Sequence, residues 1–291
     1  MTSSVTTGPP TVFTDARAVL AESIVWDPDE QVVRWVDITL GTFNTADAEG
    51  TPRSSVSLPP PLASFQPRAS GGFVAALGDT VVVTDHEGRI EREVARVEHS
   101  TAGNRFNEGK CDPFGRFLVG SMNVVTGDPD GALYAVEADG TTRLLRGGFG
   151  TTNGIEWSDD GSTMYVTDTD ASTVFRASYG PAGDLGELEP FIVGEAHDGL
   201  VRDDEGCFWS AIYGSGRVER YGPDGQHLES VTIPAPNPTS VAFGGPDMST
   251  LLVGTARENL SEEQLAEHPH SGSVFAVPTR VHGFPAHTFG G

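Results

Sequence analysis

A chain of 291 residues with 41 acidic against 18 basic residues carries a formal net charge of −23, which argues against a nucleic-acid partner and against binding to an anionic membrane. No Lys/Arg run occurs, and no apolar stretch approaches the roughly 18 residues needed to span a bilayer. The two cysteines, Cys111 and Cys207, are too few for a disulfide framework and read as buried free thiols in a soluble, cytoplasmic protein.

Residues 1–10 are polar, hold two prolines and lack the basic and apolar regions of a signal peptide. They are expected as a flexible tail ahead of one domain spanning 11–291. From there, 36 Gly and 20 Pro punctuate the chain densely, and long helical periodicity is absent. Short strand-like runs occur at 32–38, 81–85, 116–121, 133–136, 164–167, 208–212, 218–221, 251–254 and 274–277. Turn signals lie between them at Asp130-Gly131, Asp139-Gly140, Asp160-Gly161, Glu205-Gly206 and Asp224-Gly225. One helix is expected, over 259–266, with Leu260-Ser261-Glu262-Glu263 as cap and first turn. A closing strand is expected beyond about Thr279.

A degenerate repeat selects the all-β architecture. The segments CDPFGRFLVGS from Cys111, WSDDGSTMYVTD from Trp157, RDDEGCFWSA from Arg202 and FGGPDMSTLLVGT from Phe243 share one pattern. They stand about 41–46 residues apart, the period of a four-stranded propeller blade. WDPDEQVVRWVDI from Trp26 is a first copy, and the stretch around 75–85 a worn second. Six copies predict a six-bladed β-propeller around a central channel rather than a β-sandwich.

One polar position recurs within the repeat. Glu22, Asn107, Asn153 and Asp198 stand four residues before Trp26, Cys111, Trp157 and Arg202. Asn153-Gly154 and Asp198-Gly199 would each pass as a hairpin dipeptide, but Glu22 is a poor turn residue in the same phase. Equivalent positions of successive blades face one another, so the four are expected ahead of the channel-lining strands as a metal site. Carboxylate and amide oxygens without His or Cys suit Ca²⁺, Mg²⁺ or Mn²⁺ better than structural zinc.

Further carriers follow in order: AESIVWDP from Ala21, RWVDI from Arg34, RFNEGKCDPFGRFLVGSM from Arg105, NGIEWS from Asn153, YVTDT from Tyr165, HDGLVRDDEGCFWSA from His197, TSVAFGGPD from Thr239 and LSEEQLAEHPHSGSVF from Leu260. The set resembles the gluconolactonase/regucalcin family of six-bladed propellers over nearly the whole chain. The resemblance implies a metal-dependent lactonase acting on a small lactone. Glu22, Asn153 and Asp198 would hold one divalent cation, Ca²⁺ first, with Mg²⁺, Mn²⁺ or Zn²⁺ as alternatives. Asp198 would also be the general base, while Arg105, Asn107 and Glu108 would face the substrate. Where the family commonly has Asn-Asp-Gly, this chain has Asn107-Glu108-Gly109, a longer acid expected at the mouth. A sugar-contacting glutamate of some members falls near Val125, and the usual glycine before the first ligand is Ala21. The loss near Val125 points toward a less hydroxylated lactone. The competing readings are a phosphotriesterase-like hydrolase and a non-enzymatic calcium-binding propeller; a monomer or a weak dimer suits each.

Overall fold

A computed structural model of the protein describes residues 4–99, 101 and 103–290. Within them, six antiparallel sheets of four strands each follow one another along the chain. The first strands of blades one to six are Ala21–Asp27, Leu62–Pro67, Asn104–Cys111, Thr152–Trp157, His197–Arg202 and Pro238–Gly244. Each packs against the first strands of the blades before and after it, and that of blade six meets that of blade one. The six therefore close a ring and line its channel, as the repeat predicts.

Blade six draws on both ends of the chain. Its outer strand is Thr11–Thr14, paired antiparallel to Val274–Pro278 with Thr11 opposite Ala276 and Val12 opposite Phe275. The closing strand is thus N-terminal, not beyond Thr279 as expected, because only Thr11–Thr14 reaches the free edge of Val274–Pro278. Of the expected tail, residues 1–3 lie outside the described residues. Ser4 Oγ and Thr6 Oγ1 donate to Glu229 Oε1 at 2.5 and 2.6 Å, and Val5 N–H donates to Glu229 Oε2 at 2.9 Å.

The turns explain why the elements begin and end where they do. At Asp47, Asp85, Asp112 and Asp203 one carboxylate oxygen accepts the N–H groups two and four residues on, while the glycine three residues on donates to the Asp carbonyl. That glycine takes a positive φ, 89° at Gly115 and 74° at Gly206, which a side chain would resist. Asp130-Gly131 departs from expectation: Gly131 opens the strand Gly131–Val136 against Ser121, where a Cβ would lie 2.4 Å from a carbonyl oxygen.

All nine apolar runs read from the sequence are second or third strands of their blades, the layers covered on both faces. The stretch 75–85 falls on the second and third strands of blade two, Phe73–Leu77 and Thr80–Thr84. The helix forms at Glu262–Glu267 with Ser261 as N-cap and a reciprocal capping box to Gln264. Cys111 and Cys207 are free and buried. No helix among the described residues is long and apolar enough to cross a membrane.

Aromatic side chains weld neighbouring blades together. Phe65 of blade two is fully buried, with its ring 4.7 Å from Phe43 of blade one and 5.5 Å from Phe73. Truncating it empties the seam beside the first channel strand, so Phe65→Ala is expected to lower unfolding free energy by about 3–5 kcal/mol. Chemical denaturation monitored by tryptophan fluorescence checks this value.

Candidate active site

Every inner strand slips register at the same height. The irregularity falls between Glu22 and Val25, Leu62 and Ser64, Phe106 and Gly109, Asn153 and Ile155, His197 and Leu200, and Pro238 and Val241. A β-bulge bends its strand and re-aims the side chains at the extra residue. Glu22, Asn107, Asn153 and Asp198 all sit at these bulges. They lie inside the channel-lining strands, not ahead of them as expected. The expectation missed this because a bulge breaks the alternation by which a strand is recognised. Blades two and six contribute Ala63 and Thr239 at the matching position, and the Thr239 hydroxyl is spent on the Ala21 carbonyl. Oxygen donors thus come from blades one, three, four and five.

Glu22, Arg105, Asn107, Asn153 and Asp198 line one cavity of about 270 Å³ at the channel mouth. Glu108 does not join them there. It lines a smaller inner cavity of about 70 Å³ together with Lys110, whose ammonium pairs with Glu156 at 2.9 Å. Asn107 and Glu108 are the two residues of the bulge between Phe106 and Gly109, and they line different cavities. Val125 is 73% exposed, with its N–H held by Asn123 Oδ1.

A hydrogen-bond relay fixes the amides. Arg105 Nη1 donates to the Phe106 carbonyl and to Asn107 Oδ1 at 2.8 and 2.9 Å. Asn107 Nδ2 donates to the Thr152 carbonyl and to Asn153 Oδ1 at 3.0 and 2.9 Å. Asn153 Nδ2 donates to Thr169 Oγ1 at 2.8 Å, and that hydroxyl donates to the His197 carbonyl at 2.5 Å. Each Oδ1 accepts a single N–H, which leaves lone-pair capacity toward the cavity. The His197 ring is turned away from the channel, hydrogen bonded to Ser210 and packed on Tyr221, and burial pushes its pKa down to about 4.

The carboxylates have no such partners. Glu22 Oε2 and Asp198 Oδ1 are buried and make no hydrogen bond. Burial holds both groups well above the usual carboxylate range, and for Glu22 the charge of Asp198 adds to it. Burial also raises Glu108, to about 7. Two desolvated, unpaired carboxylates are costly unless a cation compensates them. A divalent ion held by oxygen donors fits the set: two orphaned carboxylate oxygens beside the fixed amide oxygen of Asn153. No group of three His, Cys, Asp or Glu side chains suited to a metal occurs among the described residues.

Sequence reasoning missed Thr169, Tyr213 and Glu258, which line the same cavity. Thr169 follows the second strand of blade four, Tyr213 follows that of blade five, and Glu258 lies beyond that of blade six, so the recurring position does not reach them.

Residues 20–257 match the family model described as the SMP-30/Gluconolactonase/LRE-like region. The chain is 36% identical over 279 residues to the 6-deoxy-6-sulfogluconolactonase of Pseudomonas putida, covering 94% of this chain and 96% of that protein. It is 33% identical over 269 residues to regucalcin of Xenopus laevis, covering 89% and 90%. Its structure is similar to that of the calcium-binding protein regucalcin from Agrobacterium tumefaciens, with a TM-score of 0.90, 29% identity and 96% of each chain covered.

The raised carboxyls give the site a pH signature. Without a cation, the native state holds protons on Glu22, Asp198 and Glu108 that the unfolded chain has already lost. Their stabilising contribution is complete below the unfolded values, 4.5 for the two glutamates and 3.8 for Asp198, and disappears as pH rises through 7 and beyond. Chelator-treated protein is therefore expected to lose thermal stability from about pH 5 to about pH 8, with Ca²⁺ restoring more stability at the upper end. Scanning calorimetry across that range, with and without Ca²⁺, measures both effects.

Proposed function

The chain belongs to the SMP-30/gluconolactonase/LRE-like family, and from that premise we propose that it is a divalent-cation-dependent lactonase opening a small, sugar-derived or related lactone to its hydroxy acid. The observation that carries this reading is the pair of buried, unpartnered oxygens, Glu22 Oε2 and Asp198 Oδ1, in a cavity that also holds Arg105.

Glu22, Asn153 and Asp198 would hold the cation, and their all-oxygen character favours Ca²⁺ over zinc. When bound, such an ion supplies Lewis-acid polarisation of the ester carbonyl and lowers the pKa of water. Asp198 would accept the proton of the attacking water, its basicity reduced by the cation it helps to hold and matched to water that the same cation acidifies. The same proton returns to the ring oxygen as the acyl–oxygen bond breaks. Arg105 orients the substrate: only Nη1 is committed to the protein, and its other N–H groups are left for substrate oxygens. Asn107 contributes mainly by position, since its amide hydrogens are committed to Thr152 and Asn153. Glu108, in the inner cavity, adds a like charge that pushes the Asp198 and Glu22 carboxyls further up.

A pH-indicator assay over sugar and aliphatic lactones, on chelator-stripped protein with each divalent cation restored, tests the reading. Cation-dependent ring opening is expected, and Asp198→Asn is expected to lower kcat about 10²–10⁴-fold. Arg105→Ala is expected to act mainly through a raised KM. Cleavage of a phosphotriester in place of any lactone, or cation binding without turnover of either, contradicts the proposal.

A further inference from the structure

The mouth is unevenly charged. Glu22, Asp170, Asp198 and Glu258 line the cavity against the single guanidinium of Arg105, and no second basic side chain lines it among the described residues. A divalent ion at the site leaves this lining with one net negative charge. Glu22 and Asp198 belong to the carboxylate pair and Asp170 Oδ2 accepts from the Thr151 hydroxyl at 3.0 Å, which leaves Glu258. Its backbone is pinned: the N–H donates to the Val19 carbonyl at 3.0 Å, and its own carbonyl accepts from Asn237 Nδ2 at 2.9 Å. The next residue, Asn259, takes φ 60°, and its Nδ2 donates to the Tyr213 hydroxyl at 3.0 Å. The Glu258 carboxylate, half-buried, makes no hydrogen bond and no ion pair within 4.0 Å among the described residues, and the Arg105 guanidinium is the opposing charge that acts on it. The Tyr213 hydroxyl accepts from Asn259 and Asn237, which leaves its proton free to donate. A carboxylate acceptor on a held backbone and a free donor thus line the same cavity.

We infer that Glu258, beside Tyr213, is a specificity-determining residue that admits uncharged, hydroxyl-bearing lactones and rejects anionic ones. The inference rests on the lactonase reading for its substrate and on the wall geometry for its selectivity. A substrate hydroxyl can donate to Glu258 and accept from Tyr213. A sulfonate or carboxylate can accept from Tyr213 but has no proton to donate to Glu258, and it meets that charge in a partly desolvated mouth, where like-charge contact is costly. The net charge of −23 on the whole chain disfavours the same ligands at longer range.

The test compares glucono-δ-lactone with its 6-deoxy-6-sulfo counterpart, which differ only at C6, and measures binding of the two corresponding lactams by calorimetry. On the Ca²⁺-loaded protein the neutral lactone is expected to lead in kcat/KM by about tenfold or more at low ionic strength. The gap is expected to narrow in about 0.5 M NaCl, where screening is strong. Glu258→Gln, which keeps shape and removes charge, is expected to cut the neutral-to-anionic ratio about tenfold and flatten its salt dependence, a readout that a merely structural role would not move. An anionic lactone used as well as the neutral one, a ratio indifferent to both salt and Glu258→Gln, or binding of neither lactam overturns the inference. If neither lactone turns over while the neutral lactam still binds more tightly, the lactonase reading falls and the charge filter stands.

Discussion

Six inner strands must carry polar side chains into a buried channel without giving up their sheets, and the β-bulge near the start of each is the device that allows it. An extra residue in one strand leaves its neighbour's ladder intact on either side while turning a side chain toward the axis. The bulges stand at one height because the blades are repeats, so the side chains they turn inward meet in one place. Ser23 illustrates the cost and the return. It takes φ 54° immediately after Glu22, and its hydroxyl then both donates to and accepts from the backbone of Phe65 at 3.0 Å, stitching blade one to blade two beside the first carboxylate. The conformation that aims Glu22 is held by a neighbouring blade, so the site depends on the packing of blade two against blade one.

That dependence links fold to chemistry. Arg105, Asn107, Asn153, Thr169 and the His197 carbonyl form one hydrogen-bond chain across blades three, four and five. Charged and amide groups are thereby given fixed orientations before any ligand arrives, and such preorganisation is what electrostatic catalysis requires. The carboxylates of blades one and five stand outside this chain, desolvated and unsatisfied. One half of the site is held by hydrogen bonds, and in the proposed reading the other is left to a cation.

Much of this was legible in the sequence. The blade period, the recurring oxygen-bearing position and the Asp-to-Gly turns follow from local chemistry, and so do the second and third strands, whose burial on both faces writes them as apolar runs. The inner strands were not legible as strands. AESIVWD and HDGLVR mix charge, glycine and apolar residues across a bulge, and neither alternates cleanly. The outer strands were hidden for the opposite reason: Pro52–Ser57 and Ile90–Arg96 are exposed edges with little apolar content. Blade two lost its signature because Ala63 stands where other blades place an oxygen. Glu108 was expected beside Asn107 at the mouth, but the bulge sends the two side chains into different cavities. Glu258 and Tyr213 lie beyond second strands and do not recur at the repeated position, so only the folded ring brings them to the site.

The central claim is that the side chains of Glu22, Asn153 and Asp198 together constitute one cation site. Anomalous diffraction from crystals soaked in Mn²⁺ tests it most directly. The account predicts a single strong peak in the channel mouth, within coordination distance of Glu22, Asn153 and Asp198, and its loss in Glu22→Gln crystals. A channel without a peak, or a peak held by other residues, would contradict it.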